Sequence, residues 1–122
     1  ALPELQREIA AMSERQRLRV SFPLEFRAAA ADNLWLSTAH GRTTGYVAVH
    51  RFAGEDPGPY FRAVRDIALA HDGRPHWGKM HDLDHATLAA SYPRMADFLA
   101  LRDRLDPGRT LANPYLEQVL GP

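Results

Sequence analysis

Between residues 18 and 26 the chain alternates strictly. Leu18, Val20, Phe22, Leu24 and Phe26 fall on one side; Arg17, Arg19, Ser21, Pro23, Glu25 and Arg27 fall on the other. Period two is the signature of a strand with one buried and one wet face. No other segment restricts the fold as much, because a half-buried strand requires a sheet. Pro23 has no amide proton for a ladder, so the strand is expected at an edge or a bulge. A second strand is predicted over 45–52, with Val47 and Val49 on one face and Tyr46, Ala48, His50 and Phe52 on the other. Residues 33–38 read as a third, short strand.

The rest is helical in pattern. Leu2, Leu5, Ile9 and Met12 recur at three- and four-residue spacing, and Pro3 suits a first turn, so a helix is predicted over 3–15. Turn chemistry at 54–59 precedes a helix over 59–71, with Phe61, Val64, Ala68 and His71 on one side and Gly73 as its stop. A short helix is expected over 84–90, and a longer one over 92–105 with Met95, Phe98, Leu99 and Leu105 near one face. The 106–108 Asp-Pro-Gly ends it, and Asn113 caps a last helix with Pro114 in its first turn and Gly121 beyond its end. Few strands and no repeated crossover predict an α+β fold, an antiparallel sheet with helices packed on one side.

Composition excludes several functions. Fifteen basic and fifteen acidic residues give zero formal charge, against the basic excess of a nucleic-acid binder. Zero cysteines exclude a disulfide scaffold, a thiol nucleophile and thiolate metal sites. No apolar run approaches the roughly 20 residues of a membrane span, so a cytoplasmic protein is expected. The first residue is Ala1 rather than Met, which suggests a fragment or a trimmed product. Fourteen of the fifteen basic residues are Arg; the single lysine is Lys79.

Three constellations carry candidate chemistry. Glu25 and Arg27 share a strand face, which sets a carboxylate beside a guanidinium; the plain alternative is a solvated ion pair of little weight. The 74–79 run Arg-Pro-His-Trp-Gly-Lys offers His76, Trp77 and Lys79 on one loop, and its plain alternative is a Trp anchor with solvated neighbours. His71, His76, His81 and His85 cluster, but Asp82-Leu83-Asp84 looks like a turn into a helix cap, so no metal site is predicted. Glycine-rich phosphate loops and a serine nucleophile elbow are both missing.

The 74–79 run, then Tyr92-Pro93-Arg94 with Phe98 and Arg102, then Asp106-Pro107-Gly108 and the 111–116 run Leu-Ala-Asn-Pro-Tyr-Leu, together resemble the C-terminal region of the sugar-lactone and alditol oxidases. That family includes D-arabinono-1,4-lactone oxidase, L-gulonolactone oxidase and alditol oxidase, flavoproteins similar to vanillyl-alcohol oxidase. Glu25-Phe26-Arg27 and His50 fit the same resemblance, which thus covers nearly the whole chain. Gly108 directly after Pro107 departs from the family's commoner spelling of that turn.

The resemblance implies a two-domain flavoprotein whose FAD-binding domain lies outside these 122 residues, with this chain as its C-terminal substrate or cap domain. It implies oxidation of a polyol or sugar-lactone hydroxyl, with Lys79, Arg27, Glu25 and His50 at the chemistry and Lys79, His76 and Asn113 at the FAD. A cation near the hydroxyl stabilises developing alkoxide charge, and a second cation nearby would ready Lys79 as a base. Glu25 would orient Arg27, and His50 would bind the polyol or take its proton. His76 and Trp77 would shape the loop. Tight FAD binding by the chain alone is not expected. Self-association through a bared surface is. Membrane association occurs in some relatives, but nothing in this chain would anchor it to a bilayer. The competing readings are a stand-alone α+β binding or dimerisation domain that has lost the chemistry and, more weakly, a histidine metalloenzyme.

Overall fold

A computed structural model describes residues 2–122. In chain order the elements are α1 (Leu2–Arg15), β1 (Glu25–Ala29), β2 (Thr44–Ala48), α2 (Gly58–Ala70), α3 (His85–Ser91), α4 (Met95–Leu105) and α5 (Pro114–Leu120). The fold is α+β, and its sheet among the described residues is the antiparallel pair β1–β2. No helix among the described residues is long and apolar enough to cross a membrane. Two compact units are present. One takes the described residues up to Ala30 with Thr43–Pro75; the other takes Ala31–Arg42 with His76–Pro122.

In the first unit α1 packs on α2 and over β2. Leu5, Ile9 and Met12 of α1 meet Tyr60 and Val64 of α2 in a buried cluster. Ile9 is almost wholly enclosed, and burying such a side chain stabilises by about 1.5–3 kcal/mol. Gly45 on β2 lets α1 approach. A Cβ there would stand 2.4 Å from Leu2 Cγ.

The alternating segment departs from its expected form. Only Glu25–Ala29 pairs as a strand, and residues 18–24 form no ladder. The cause lies at the end of α1. Arg17 takes a left-handed conformation (φ 53°), Arg17 N–H donates to Glu14 O and Leu18 N–H to Ser13 O. These two bonds make a Schellman motif, which turns the chain as α1 stops. Pro23 then withholds a ladder donor just before β1. Leu18, Val20 and Leu24 still pack against the buried cluster, while Phe22 and Phe26 stay exposed. Phe26 shares its face with Val47, yet it is 38% exposed because α1 lies over β2. β2 likewise stops at Ala48, the partner of Glu25, rather than reaching Phe52.

In the second unit Leu83, Leu88, Tyr92, Met95, Val119 and Leu120 are buried, and α3 packs on α5. Arg102 donates from Nη1 to Gly121 O (3.0 Å), which ties α4 to the end of α5. Residues 33–38 are turns rather than a strand. The Asp32 carboxylate accepts from Leu34 N–H (3.0 Å) and from the Ser37 hydroxyl, which holds the stretch in a local turn. The helix expected from residue 92 starts at Met95, since Pro93 holds Tyr92 extended (φ −112°, ψ 105°). Leu105, expected on its apolar face, is 72% exposed. The caps agree with expectation: Asp84 accepts from Thr87 N–H, and Asn113 from Leu116 N–H.

Candidate functional site

The predicted site residues fall in both units. In the first, the register pairs Glu25 with Ala48, Arg27 with Tyr46 and Ala29 with Thr44. Directly opposed residues share a face, so Glu25, Arg27 and Tyr46 lie together on the side away from Gly45 and Val47. Arg27 Nε donates to Glu25 Oε1 (2.6 Å), and a second guanidinium nitrogen meets the same oxygen. The Arg27 side chain is 76% exposed and that of Glu25 43%. A pair this wet contributes little to folding, so the two groups are available to a ligand. Ala48 opposite Glu25 is too small to cover it. His50 lies beyond the end of β2 and is exposed, its ring centroid 6.3 Å from that of Phe22.

An open cleft of about 470 Å³ runs along α1 and the 18–24 segment, lined by Ile9, Ser13, Leu18, Val20, Leu24 and Tyr60 among others. Neither Glu25, Arg27 nor His50 lines it, so it is not the polar site.

In the second unit the 76–79 loop is a pinned turn. Gly78 N–H donates to His76 Nδ1 (3.0 Å), and Lys79 N–H to His76 O (3.0 Å). Trp77 Nε1–H donates to Leu36 O (2.9 Å), and its ring lies 4.9 Å from that of buried Tyr92. Trp77 is therefore the loop's anchor, as the plain reading of this run expects. Lys79 is exposed, and its ammonium meets no hydrogen-bond or ion-pair partner among the described residues. Asn113 Oδ1 is occupied at the cap of α5 (2.9 Å to Leu116 N), which leaves its amide nitrogen for any ligand.

The four clustered histidines go separate ways. His71 meets Glu8 Oε1 (2.9 Å), His76 closes the loop turn, His81 meets the Tyr115 hydroxyl (3.0 Å), and His85 opens α3. Among the described residues no group of three or more His, Cys, Asp or Glu is placed to hold a metal. Burial pushes the His81 imidazole below its ordinary value and the Tyr115 phenol above its own. Amide donors from Leu111 and Thr110 hold the Asp106 carboxyl low, as the Thr87 amide does for Asp84.

Sequence reasoning missed Tyr115, whose hydroxyl donates to Trp77 O, and gave His81 no role except as a metal ligand. Thirty-eight residues separate Tyr115 from Trp77, and no spacing rule reaches that far.

The molecule is thus an α+β protein with an exposed acid–base pair on a short sheet and a lone ammonium on an anchored turn. Residues 1–119 match the family described as D-arabinono-1,4-lactone oxidase. This chain belongs to that family. It is similar to a protein named L-gulono-1,4-lactone dehydrogenase from Mycobacterium tuberculosis, 50% identical over 118 residues, which is 97% of this chain and 27% of that protein. It is also similar to an alditol oxidase from Streptomyces sp. (41% over 99 residues, 79% of this chain and 23% of that protein). An L-gulonolactone oxidase from Bos taurus is 32% identical over 117 residues, 92% of this chain and 27% of that protein. The chain spans about a quarter of the length of these relatives.

Proposed function

We propose that this chain is the C-terminal substrate or cap domain of an FAD-dependent oxidoreductase. The reaction is oxidation of a sugar-alcohol or aldonolactone hydroxyl by hydride transfer to flavin. One observation carries this reading. The family match over 1–119 takes in Glu25, Arg27, His50, His76, Lys79 and Asn113 together, while about three quarters of each relative's length lies outside the matched region. An FAD-binding domain of the same polypeptide is the partner proposed for that remainder.

The residues suit contact with a flavin rather than a cradle for one. Lys79 presents an unpartnered ammonium, His76 keeps Nε2 free, and Asn113 keeps its amide nitrogen. The sequence has no loop that would wrap a pyrophosphate. Bound FAD supplies the two-electron acceptor. Lys79 and Arg27 are each assigned a substrate oxygen, where a cation opposes the negative charge that grows as a proton leaves. Glu25 keeps Arg27 oriented and accepts a hydrogen bond from a second substrate hydroxyl. His50 binds the polyol or receives the hydroxyl proton. The bared flavin-facing side, including parts of the 74–81 loop with its exposed Met80, gives the isolated chain a surface for self-association.

The test uses the full-length polypeptide, mixed anaerobically with aldonolactones and alditols while flavin absorbance is followed. Lys79→Met and Arg27→Met should each slow flavin reduction by about 10²–10³-fold, the usual cost of losing one charge-stabilising donor, with flavin content unchanged. Wild-type reduction rates in both variants would remove the assigned roles. Failure of every lactone and alditol to reduce the flavin would remove the substrate class.

A further inference from the structure

The Lys79 side chain is wet and unpartnered, yet the five residues around it are held at both ends by one hydroxyl. Tyr115, the second residue of α5, donates its O–H to the carbonyl of Trp77, two residues before Lys79. The same oxygen meets Nε2 of His81, two residues after Lys79, at 3.0 Å. The proton arrangement follows from the partners. A carbonyl only accepts, so the phenolic proton is committed to Trp77 O. The phenolic oxygen then offers His81 only lone pairs, and His81 Nε2–H must be the donor. Nδ1 is therefore bare in the neutral ring, and it is buried with no partner. The rings meet edge-on, centroids 5.8 Å apart at 63°.

We propose that Tyr115, with His81 as its donor, is a positioning residue that fixes the main chain of the 77–81 segment so that Lys79 presents its ammonium from a set origin. This rests on the role proposed for Lys79. Tyr115 is itself well placed to do it. The Asn113 cap and Pro114 set the first turn of α5, and Gln118 Nε2 donates to Leu83 O (3.1 Å), tying α5 back to the segment just after His81. Trp77 is held independently by Leu36 O and Tyr92, so the hydroxyl works against a fixed wall. A long flexible ammonium gains most from such an arrangement. With its Cα held, only the side-chain torsions remain to be ordered when substrate binds.

Amide exchange measured on this chain reads the clamp directly. Tyr115→Phe keeps the ring and loses the hydroxyl. The Gly78 and Lys79 amides should then exchange about fivefold faster, the factor expected from one net hydrogen bond, while the Leu88 amide is unchanged. In the flavin-loaded full-length enzyme the same variant should lower kcat about tenfold, from a sub-ångström displacement of a reacting group, with KM within about twofold. His81→Leu should copy that loss. His81→Gln, whose side-chain amide can still donate to the phenolic oxygen, should restore most of it. The His81 pair serves if Tyr115→Phe folds poorly.

Unchanged Gly78 and Lys79 exchange in both Tyr115→Phe and His81→Leu would overturn the clamp. So would equal kcat in His81→Gln and His81→Leu. Lys79→Met separates the two readings. If it abolishes turnover while Tyr115→Phe does not affect it, the positioning role alone falls. Full turnover in Lys79→Met would remove the role of Lys79 and the positioning role with it, even with faster exchange.

Discussion

Replacing Gly73 with alanine should destabilise the first unit, and the sign is the test. Gly73 does not have a left-handed backbone; that conformation belongs to Asp72 (φ 56°). On conformational entropy alone, Gly→Ala at a compatible site stabilises by about 0.4–1 kcal/mol. Space decides otherwise. α2 ends in a Schellman motif in which Gly73 N–H donates to Ala68 O at 2.7 Å and Asp72 N–H to Leu69 O at 3.0 Å. A Cβ on residue 73 would stand 2.5 Å from Ala68 O and 2.9 Å from its carbonyl carbon. Both are backbone atoms and cannot rotate aside. Relief at ordinary contact distance means opening the motif, which forfeits two hydrogen bonds worth about 1 kcal/mol each. Set against the entropic gain, the net loss is about 1–1.5 kcal/mol, or a fall in melting temperature of roughly 4–8 °C. Thermal unfolding followed by circular dichroism measures it. Asp72→Gly is the control, because it relieves the left-handed residue and leaves the close approach alone; it should raise the melting temperature. A Gly73→Ala protein that melts at or above the parent temperature would refute the steric argument.

Arg17→Gly should stabilise by about 0.5–1 kcal/mol by removing a non-glycine residue from the left-handed position after α1, read as a shift in the urea midpoint. Below the ordinary histidine range, stability should fall with pH. His81 titrates lower in the folded chain than in the unfolded one, so the unfolded state binds more protons there; the contribution is complete above about 6.5 and is lost as pH drops through the folded value. His81→Gln should flatten the fall of the urea midpoint as pH drops below about 6.5. The purified chain should be colourless and give no saturable quenching of FAD fluorescence, since no phosphate loop is present; stoichiometric yellow flavin on the isolated chain would contradict this.

Local rules were legible wherever local chemistry determined the outcome. Asn113 and Asp84 cap helices where their residue types suggest, because caps depend on atoms within a few residues, while Gly73 stops α2 one position beyond the left-handed residue, Asp72. The 18–26 alternation yields a ladder only from Glu25, for a physical reason. Alternation shows which side chains seek the core, but not whether the backbone between them has a partner strand. Leu18, Val20 and Leu24 do pack on the core. The left-handed turn at Arg17 and the missing donor of Pro23 keep the backbone out of a ladder until Glu25. Residues 33–38 differ for another reason: the Asp32 carboxylate takes the Leu34 amide and the Ser37 hydroxyl, which favours a local turn over an extended strand.

The site follows the same division. Glu25, Arg27 and Lys79 are proposed from sequence on charge type and expected exposure, and the structure leaves all three side chains exposed. A two-strand ladder of five residues each does not need an exposed ion pair, and one with a 76% exposed guanidinium adds little to its stability. The Lys79 side chain has no hydrogen-bond or ion-pair partner among the described residues that folding would miss. Charged groups that contribute so little to the fold are the ones on which the proposed roles draw. Tyr115 and His81 stand at the other extreme. They touch no ligand in this reading, and their contribution exists only through a contact spanning 38 residues. Residues that would touch substrate are thus visible as chemistry in the sequence, while those that aim them become visible only once the chain has folded.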